Sequence, residues 1–269
     1  MKYLSIVMLF FMVGCGSEPA EVTEENPVID TLKTDTTEVI EDVQVEVPKR
    51  IELDPAELFA KVDTVLTLPL AVDSLFVDSI MSIETTEKAL SNAEAQYLGY
   101  SMLDNRPTQM ASYCIDDFIR MDSLKIKGEY EDYLQQMDIG MTEWAAAQVI
   151  GKIKIGSGHE MLLWATHYET YQACPYGHGT YIWSTVFVDG QPLNTALVGE
   201  NSGGADAPYW GSTFTTSTIT EAGIVIDYLE ESGGDYDEAT DEEIVERSQQ
   251  KYEIQFAIDG GFEMIPQED

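Results

Sequence analysis

The sequence predicts an α+β fold that is mainly β: an antiparallel meander in the C-terminal half, closed as a sandwich or an open barrel, with a segment of short helices before it. Three observations predict it. Beyond Trp144 the chain falls into about seven runs rich in Val, Ile, Thr and aromatic residues, with turn residues between them. Asp189-Gly190 stands between two of these runs, and two-residue hairpins favour that dipeptide because both positions need positive φ. Short turns between consecutive strands also force antiparallel pairing, since a parallel pair needs a crossover of about a dozen residues or more.

The elements follow in chain order. Lys2 precedes an apolar run from Tyr3 to Val13, then Gly14 and Cys15. A positive start, a short apolar core and a small residue before a cut site describe a secretory signal over residues 1–14, too short to span a bilayer as a stable helix. Met12-Val13-Gly14-Cys15 resembles the lipobox of bacterial lipoproteins, with Met12 where Leu is commoner. The resemblance implies removal of the signal and acylation (palmitate-type chains) of Cys15. Each buried acyl CH₂ contributes about 0.8 kcal/mol, so several chains hold a protein on a membrane without a spanning helix.

Residues 15–50 read as a lipidated, disordered, acidic tether. They carry Pro19, Pro27 and Pro48 and no aromatic residue, and cannot bury enough apolar surface to offset the entropy of ordering. As a random coil the tether reaches about 30–35 Å. Glu18 and Glu21 resemble the surface-export signal of Bacteroidota lipoproteins, and Asp30-Thr31-Leu32 resembles the O-glycosylation acceptor of that group. The whole chain resembles Bacteroidota envelope lipoproteins that pair such a leader with a β-rich C-terminal part. The resemblance implies a lipid-anchored place at the outer membrane or cell surface, with the periplasmic face as the alternative, and it carries no activity.

Residues 51–143 read as a mixed helical segment. Asp54-Pro55-Ala56-Glu57 combines an N-cap, a proline at the first helical position and a capping-box glutamate, predicting a helix to about Val62. Ser91-Asn92-Ala93-Glu94 repeats that logic ahead of a helix ending near Gly99. Helical spacing of apolar residues predicts further helices over Tyr113–Ile126 and Tyr130–Met137, and Val65–Val72 reads as a strand interrupted by Pro69. The β domain covers residues 144–269, with strands expected over Gln148–Ile155, Glu160–Tyr168, Thr180–Val188, Leu193–Val198, Thr213–Thr220, Ile224–Leu229 and Tyr252–Ile258. Residues 51–269 are expected to form one compact unit. Glu-Asn-Ser-Gly-Gly at 200–204 and Glu-Ser-Gly-Gly at 231–234 read as two similar acidic loops.

Composition narrows the partners. The chain has 14 basic and 49 acidic residues, a formal charge of −35, which becomes −36 when Lys2 leaves with the signal. Such a field repels phosphate backbones and anionic head groups, which excludes nucleic acid, and it draws in cationic partners. Cys114 and Cys174 are left to pair as a disulfide or to remain thiols, Cys114 sharing an apolar helix face with Phe118 and Met121. His159, His167, His178 and Cys174 fit no standard zinc spacing, and no metal site is expected of them. Asp235, Asp237, Asp241, Glu243 and Glu246 fall at positions 1, 3, 7, 9 and 12 of an EF-hand-like register. Ala239 and Thr240 break that register, so a solvated acidic loop is expected, with calcium as the alternative.

No nucleophile elbow, Walker loop, dinucleotide fingerprint or H-E-x-x-H motif occurs, so no catalytic residue is assigned. Aromatic residues crowd residues 164–183, and Tyr209-Trp210 follow. Trp164, Tyr181 and Trp183 sit in predicted strands and suit a core. Tyr171, Tyr176, Tyr209 and Trp210 fall between the predicted strands, in loops, and are the candidate ligand-binding residues. The expected function is therefore a non-enzymatic, membrane-anchored envelope lipoprotein with a binding or structural role, binding a glycan or another envelope protein through the β domain. A carboxylate-based hydrolase acting on glycans and a lipocalin-like small-molecule carrier are the alternatives. The first alternative needs two carboxylates about 5–10 Å apart, and the second needs a closed barrel with an apolar cavity.

Overall fold

Order begins where the backbone donors of a first helical turn find acceptors. The Asp54 carboxylate accepts from the Ala56 amide, Pro55 has no donor to satisfy, and α1 runs over Pro55–Ala60. The computed structural model describes residues 51–81, 86–136, 141–155, 159–172, 176–237, 240 and 242–265. These residues lie in one compact unit, Pro48–Asp269. Ser91 and Glu94 form the reciprocal capping box at the start of α3, Asn92–Gly99. The longest helix, α5, covers Tyr113–Lys127 and stops at Gly128, whose φ of 72° continues no helix. α6 follows at Tyr130–Gln136.

Two helices escaped the sequence reading. α2, Ser74–Met81, starts where the Asp73 carboxylate accepts from the Phe76 amide, and α4, Arg106–Ala111, starts under an Asn105 cap. Both caps lack the glutamate that marks a capping box. The strand expected over Val65–Val72 is shorter: β1 spans only Leu70–Val72, after the proline that cannot donate to a ladder. Val65 keeps a single bridge, to Lys152.

The rest of the chain is one antiparallel meander: β2 (Met141–Lys154), β3 (Glu160–Gln172), β4 (Tyr176–Val188), β5 (Gln191–Asp206), β6 (Tyr209–Ile219), β7 (Gly223–Tyr236), β8 (Glu243–Phe256) and β9 (Phe262–Ile265), paired in that order, with β1 beside β6. The sheet does not close. Asp189 and Gly190 have φ of 50° and 75°, so the β4–β5 hairpin turns as the dipeptide predicted. Several strands outrun their sequence signals. The segments read as acidic loops, 200–204 and 231–234, lie inside β5 and β7 instead. Their glycines and serines have low β propensity, and cross-strand pairing overrides it.

The sheet parts in the middle. β5 pairs with β6 only from Glu200 to Asp206, against Thr215 to Tyr209, while its first half pairs with β4 and, at Thr195, bridges Met102. β1 takes over the other end of β6, with Val72 opposite Ser217 and Leu70 opposite Ile219. The surface of β7 that carries Tyr228 also carries Ile226 and Ile224, two and four residues earlier. These isoleucines join Leu163, Ala165, Ile182 and Val198 from the reverse surface of β3–β5, with Val72 and Val77 from β1 and α2. Past the parting, the two halves of the sheet thus overlap with an apolar layer between them. Gly199 stands at that point: a Cβ there would lie 2.6 Å from Val72 Cγ1.

A second core fills the other surface of β2–β5. Leu162, Trp164, Tyr181, Trp183 and Leu197 meet Leu58 of α1, Leu98 of α3 and Cys114, Phe118 and Met121 of α5. The Trp164 and Trp183 rings stack with centroids 5.8 Å apart. Each indole N–H donates to a buried hydroxyl, Thr185 and Thr166 respectively, both at 2.9 Å, so neither ring buries an unpaired donor.

Candidate functional site

Both cores lie toward the β4–β5 hairpin. The other end of the sheet, toward the β5–β6 hairpin, projects past them, and register decides which side chains share a surface there. Opposed residues share a face, and one strand step moves about 4.8 Å. Tyr171 opposes Tyr176, Tyr176 opposes Ala205, and Ala205 opposes Trp210. Three of the four residues singled out by sequence therefore form one row on one surface, and they lie in strands rather than in loops. The Tyr171 and Tyr176 rings are 6.2 Å apart. Tyr209, one residue before Trp210, faces the opposite surface and is mostly exposed.

The next row on the aromatic surface runs Trp144, Glu169, His178, Gly203, Ser212, Glu231 and Arg247. Below Trp144 and Glu169 in the same surface stands His167, 4.7 Å ring to ring from Trp144. Burial holds the His167 imidazole below its ordinary range, which leaves it neutral at neutral pH. His178 packs 5.3 Å from Tyr176, and bare Gly203 beside it keeps the floor flat. Trp144 and Tyr171 are 37% and 43% exposed, enough ring area for a flat ligand. The Trp210 indole donates to Glu243 at 2.6 Å, which fixes its orientation.

Two carboxylates of that row are far apart. Glu169 and Glu231 share a row but stand four strands from each other, so their Cα atoms are roughly 19 Å apart. That is too far for the two carboxyls of a glycoside hydrolase to flank one bond. Glu231 is ion-paired with Arg247.

The opposite surface holds acids that sequence reasoning missed. Tyr181, Glu200, Thr215 and Tyr228 form one row across β4–β7, and Ser202, Thr213 and Glu230 form the next. Glu200 is 6% exposed and accepts from Ser202 at 2.6 Å and Thr215 at 3.0 Å. Burial, with Glu230 nearby, outweighs the hydrogen bonds from Ser202 and Thr215 and pushes the Glu200 carboxyl up to about 7. Glu230 is instead paired with Arg106 of α4 at 2.8 Å. Tyr113 of α5 closes the row, its hydroxyl 2.7 Å from that of Tyr181. No spacing signal in Glu200-Asn-Ser-Gly-Gly announces a buried acid, because the row that surrounds it is assembled from β4, β6 and β7 by strand pairing.

Glu143 of β2 is the second buried acid there. Burial alone would raise its carboxyl, but bonds from Arg120, Tyr133 and Tyr168 outweigh it and hold the group below its ordinary range. Two strands, β3 and β4, lie between Glu143 and Glu200, so these two do not form a pair.

Cys114 is a free thiol, buried in the core and 3.0 Å from the Thr166 hydroxyl. Cys174, Cys15 with its leader, and the tether lie outside the described residues, as does the Gly156-Ser157-Gly158 turn. In the acidic loop, the Asp237 carboxylate accepts from the Thr240 amide, and Glu243 accepts from the Trp210 indole. Among the described residues no group of His, Cys, Asp and Glu is arranged to hold a metal, and no helix is long and apolar enough to cross a membrane. No protein-family model, curated protein or solved structure matches this chain.

Proposed function

We propose that this chain is a lipid-anchored envelope protein that binds a glycan on the exposed aromatic surface of its sheet. The observation that carries the reading is the register: Tyr171, Tyr176 and Trp210 lie in one row across β3, β4 and β6, with Trp144 and His178 in the next row. Flat rings at strand spacing stack against the apolar faces of sugar rings, and a row perpendicular to the strands suits a linear chain of them. The long acidic tether behind Cys15 supports a role at a distance from the membrane that holds the anchor. The separation of Glu169 from Glu231 favours binding over hydrolysis on this surface. Glu200 and Glu230 serve the opposite surface, where a chain stacked on the rings does not reach. The open sheet, with its apolar residues packed between overlapping halves, gives the carrier reading no support.

Affinity electrophoresis of the full chain through a panel of oligosaccharides and polysaccharides tests the reading. Retardation by a member of the panel is expected, weakened about tenfold by Trp210→Ala and by Tyr176→Ala, the loss of one stacked ring each. Tyr209→Ala, on the reverse surface, is expected to bind as the parent does. Retardation by no saccharide, or losses equal for Tyr209→Ala and Trp210→Ala, overturns it.

A further inference from the structure

Glu169 is the least explained charge on the aromatic surface. Trp144 opposes it on β2 and His178 on β4, and His167 and Tyr171 flank it on its own strand, two residues either side. Tyr176 reaches back to donate its hydroxyl to the carboxylate at 3.4 Å. An exposed carboxylate is thus ringed by five flat side chains. Among the described residues it makes no ion pair with a lysine or arginine, whereas Glu231 on the same row is matched by Arg247 and Glu230 on the reverse surface by Arg106.

A carboxylate framed by aromatic faces has the chemistry of a receptor for an ammonium group. The carboxylate supplies the counter-charge, and the rings beside it add cation–π attraction. Charge complementarity extends beyond the site, since a chain with 49 acidic and 14 basic residues draws cations and repels anions. An anionic saccharide would meet Glu169 directly and pay for it.

We propose that the ligand of this surface is a saccharide carrying a free, protonated amine, an amino sugar whose ammonium group sits over Glu169 while neighbouring sugar rings stack on Tyr171, Tyr176 and Trp210. This rests on the glycan reading above and adds the charge of the sugar to it.

Calorimetric titration of the full chain with three oligomers of equal length tests it: oligoglucosamine, its N-acetylated form, and an oligoglucose with no nitrogen, in mildly acidic buffer where the amines are protonated. Oligoglucosamine is expected to bind about tenfold more tightly than the other two. Glu169→Gln is expected to abolish that preference while leaving the weaker binding of the neutral oligomers unchanged; the exposed position makes this variant safe for folding, which an unchanged Tm checks. Equal binding of all three oligomers by the parent, or a preference that survives Glu169→Gln, overturns the amino-sugar assignment and leaves the glycan reading standing. Binding of none of them, with oligolysine bound in a Glu169-dependent way, overturns both and identifies a basic protein segment as the occupant.

Discussion

Glu200 and Glu143 show how one residue type takes opposite roles according to the groups around it. Glu200 faces hydroxyls and another carboxylate, and its carboxyl titrates near 7 when folded, against 4.5 ordinarily. Between those values the folded chain binds a proton that the unfolded chain does not, so stability falls as pH rises through that window and then levels off. The loss amounts to about 3 kcal/mol. Glu200→Gln, which keeps the shape and stays neutral, is therefore expected to raise Tm above about pH 8 and to leave it unchanged at low pH. Thermal melts at a series of pH values read this directly; a variant no more stable than its parent in alkaline buffer contradicts it. Glu143 has the reverse sign. Its folded pKa is lowered, so its contribution is present above the ordinary carboxylate range and disappears as pH falls through the folded value. Glu143→Ala strips Arg120, Tyr133 and Tyr168 of their shared acceptor. It is expected to cost about 2–3 kcal/mol in urea unfolding at neutral pH, less than a fully buried pair because Arg120 is partly in water.

Among the elements, those announced by local chemistry were legible in the sequence and those fixed by distant pairing were not. The capping box of Ser91 and Glu94, the proline start of α1 and the Asp189-Gly190 turn all act within a few residues, and each marks its element. The extensions of β5 and β7 through glycine-rich segments, the parting of β5 from β6, and the alignment of Tyr171 with Trp210 depend on register summed over several strands. A bulge between Ile182 and Trp183 shifts that sum, and sequence gives no account of it. The four candidate ring residues, read from sequence as loop residues, lie in strands, and Tyr209 faces the surface opposite to the other three. Two glycines test the element-level account. Gly190→Ala brings its new Cβ only to an ordinary 3.7 Å contact with Pro55 Cγ, so its cost is that of positive φ, about 1 kcal/mol. Gly199→Ala drives its methyl into Val72, Val77 and Ile182, forcing β1 and α2 away from β5, and is expected to cost about 2–3 kcal/mol. Chemical denaturation of both ranks them; a smaller loss at Gly199 than at Gly190 would show that the sheet parts without close packing at that point.

For the whole molecule, the dominant fact is repulsion between 49 acidic and 14 basic side chains. Self-repulsion weakens a compact state, and salt screens it over a Debye length of about 8 Å at physiological ionic strength. Raising ionic strength from a few millimolar to that range is accordingly expected to raise Tm by several degrees, the opposite of a fold held by surface ion pairs, and calorimetry in graded NaCl measures it. The parting of the sheet adds a second whole-molecule consequence. At the β4–β5 hairpin end the strands lie between two apolar layers. At the other end Gly177, Gly204, Gly211 and Ser232 on one surface and the aromatic row on the reverse both meet solvent. The backbone amides of the same strand therefore belong to two tiers of local stability. In deuterium exchange, amides near Ile182 and Val198 should persist until the whole molecule opens, while those near Gly177, Gly204 and Gly211 exchange through small openings that leave both cores intact.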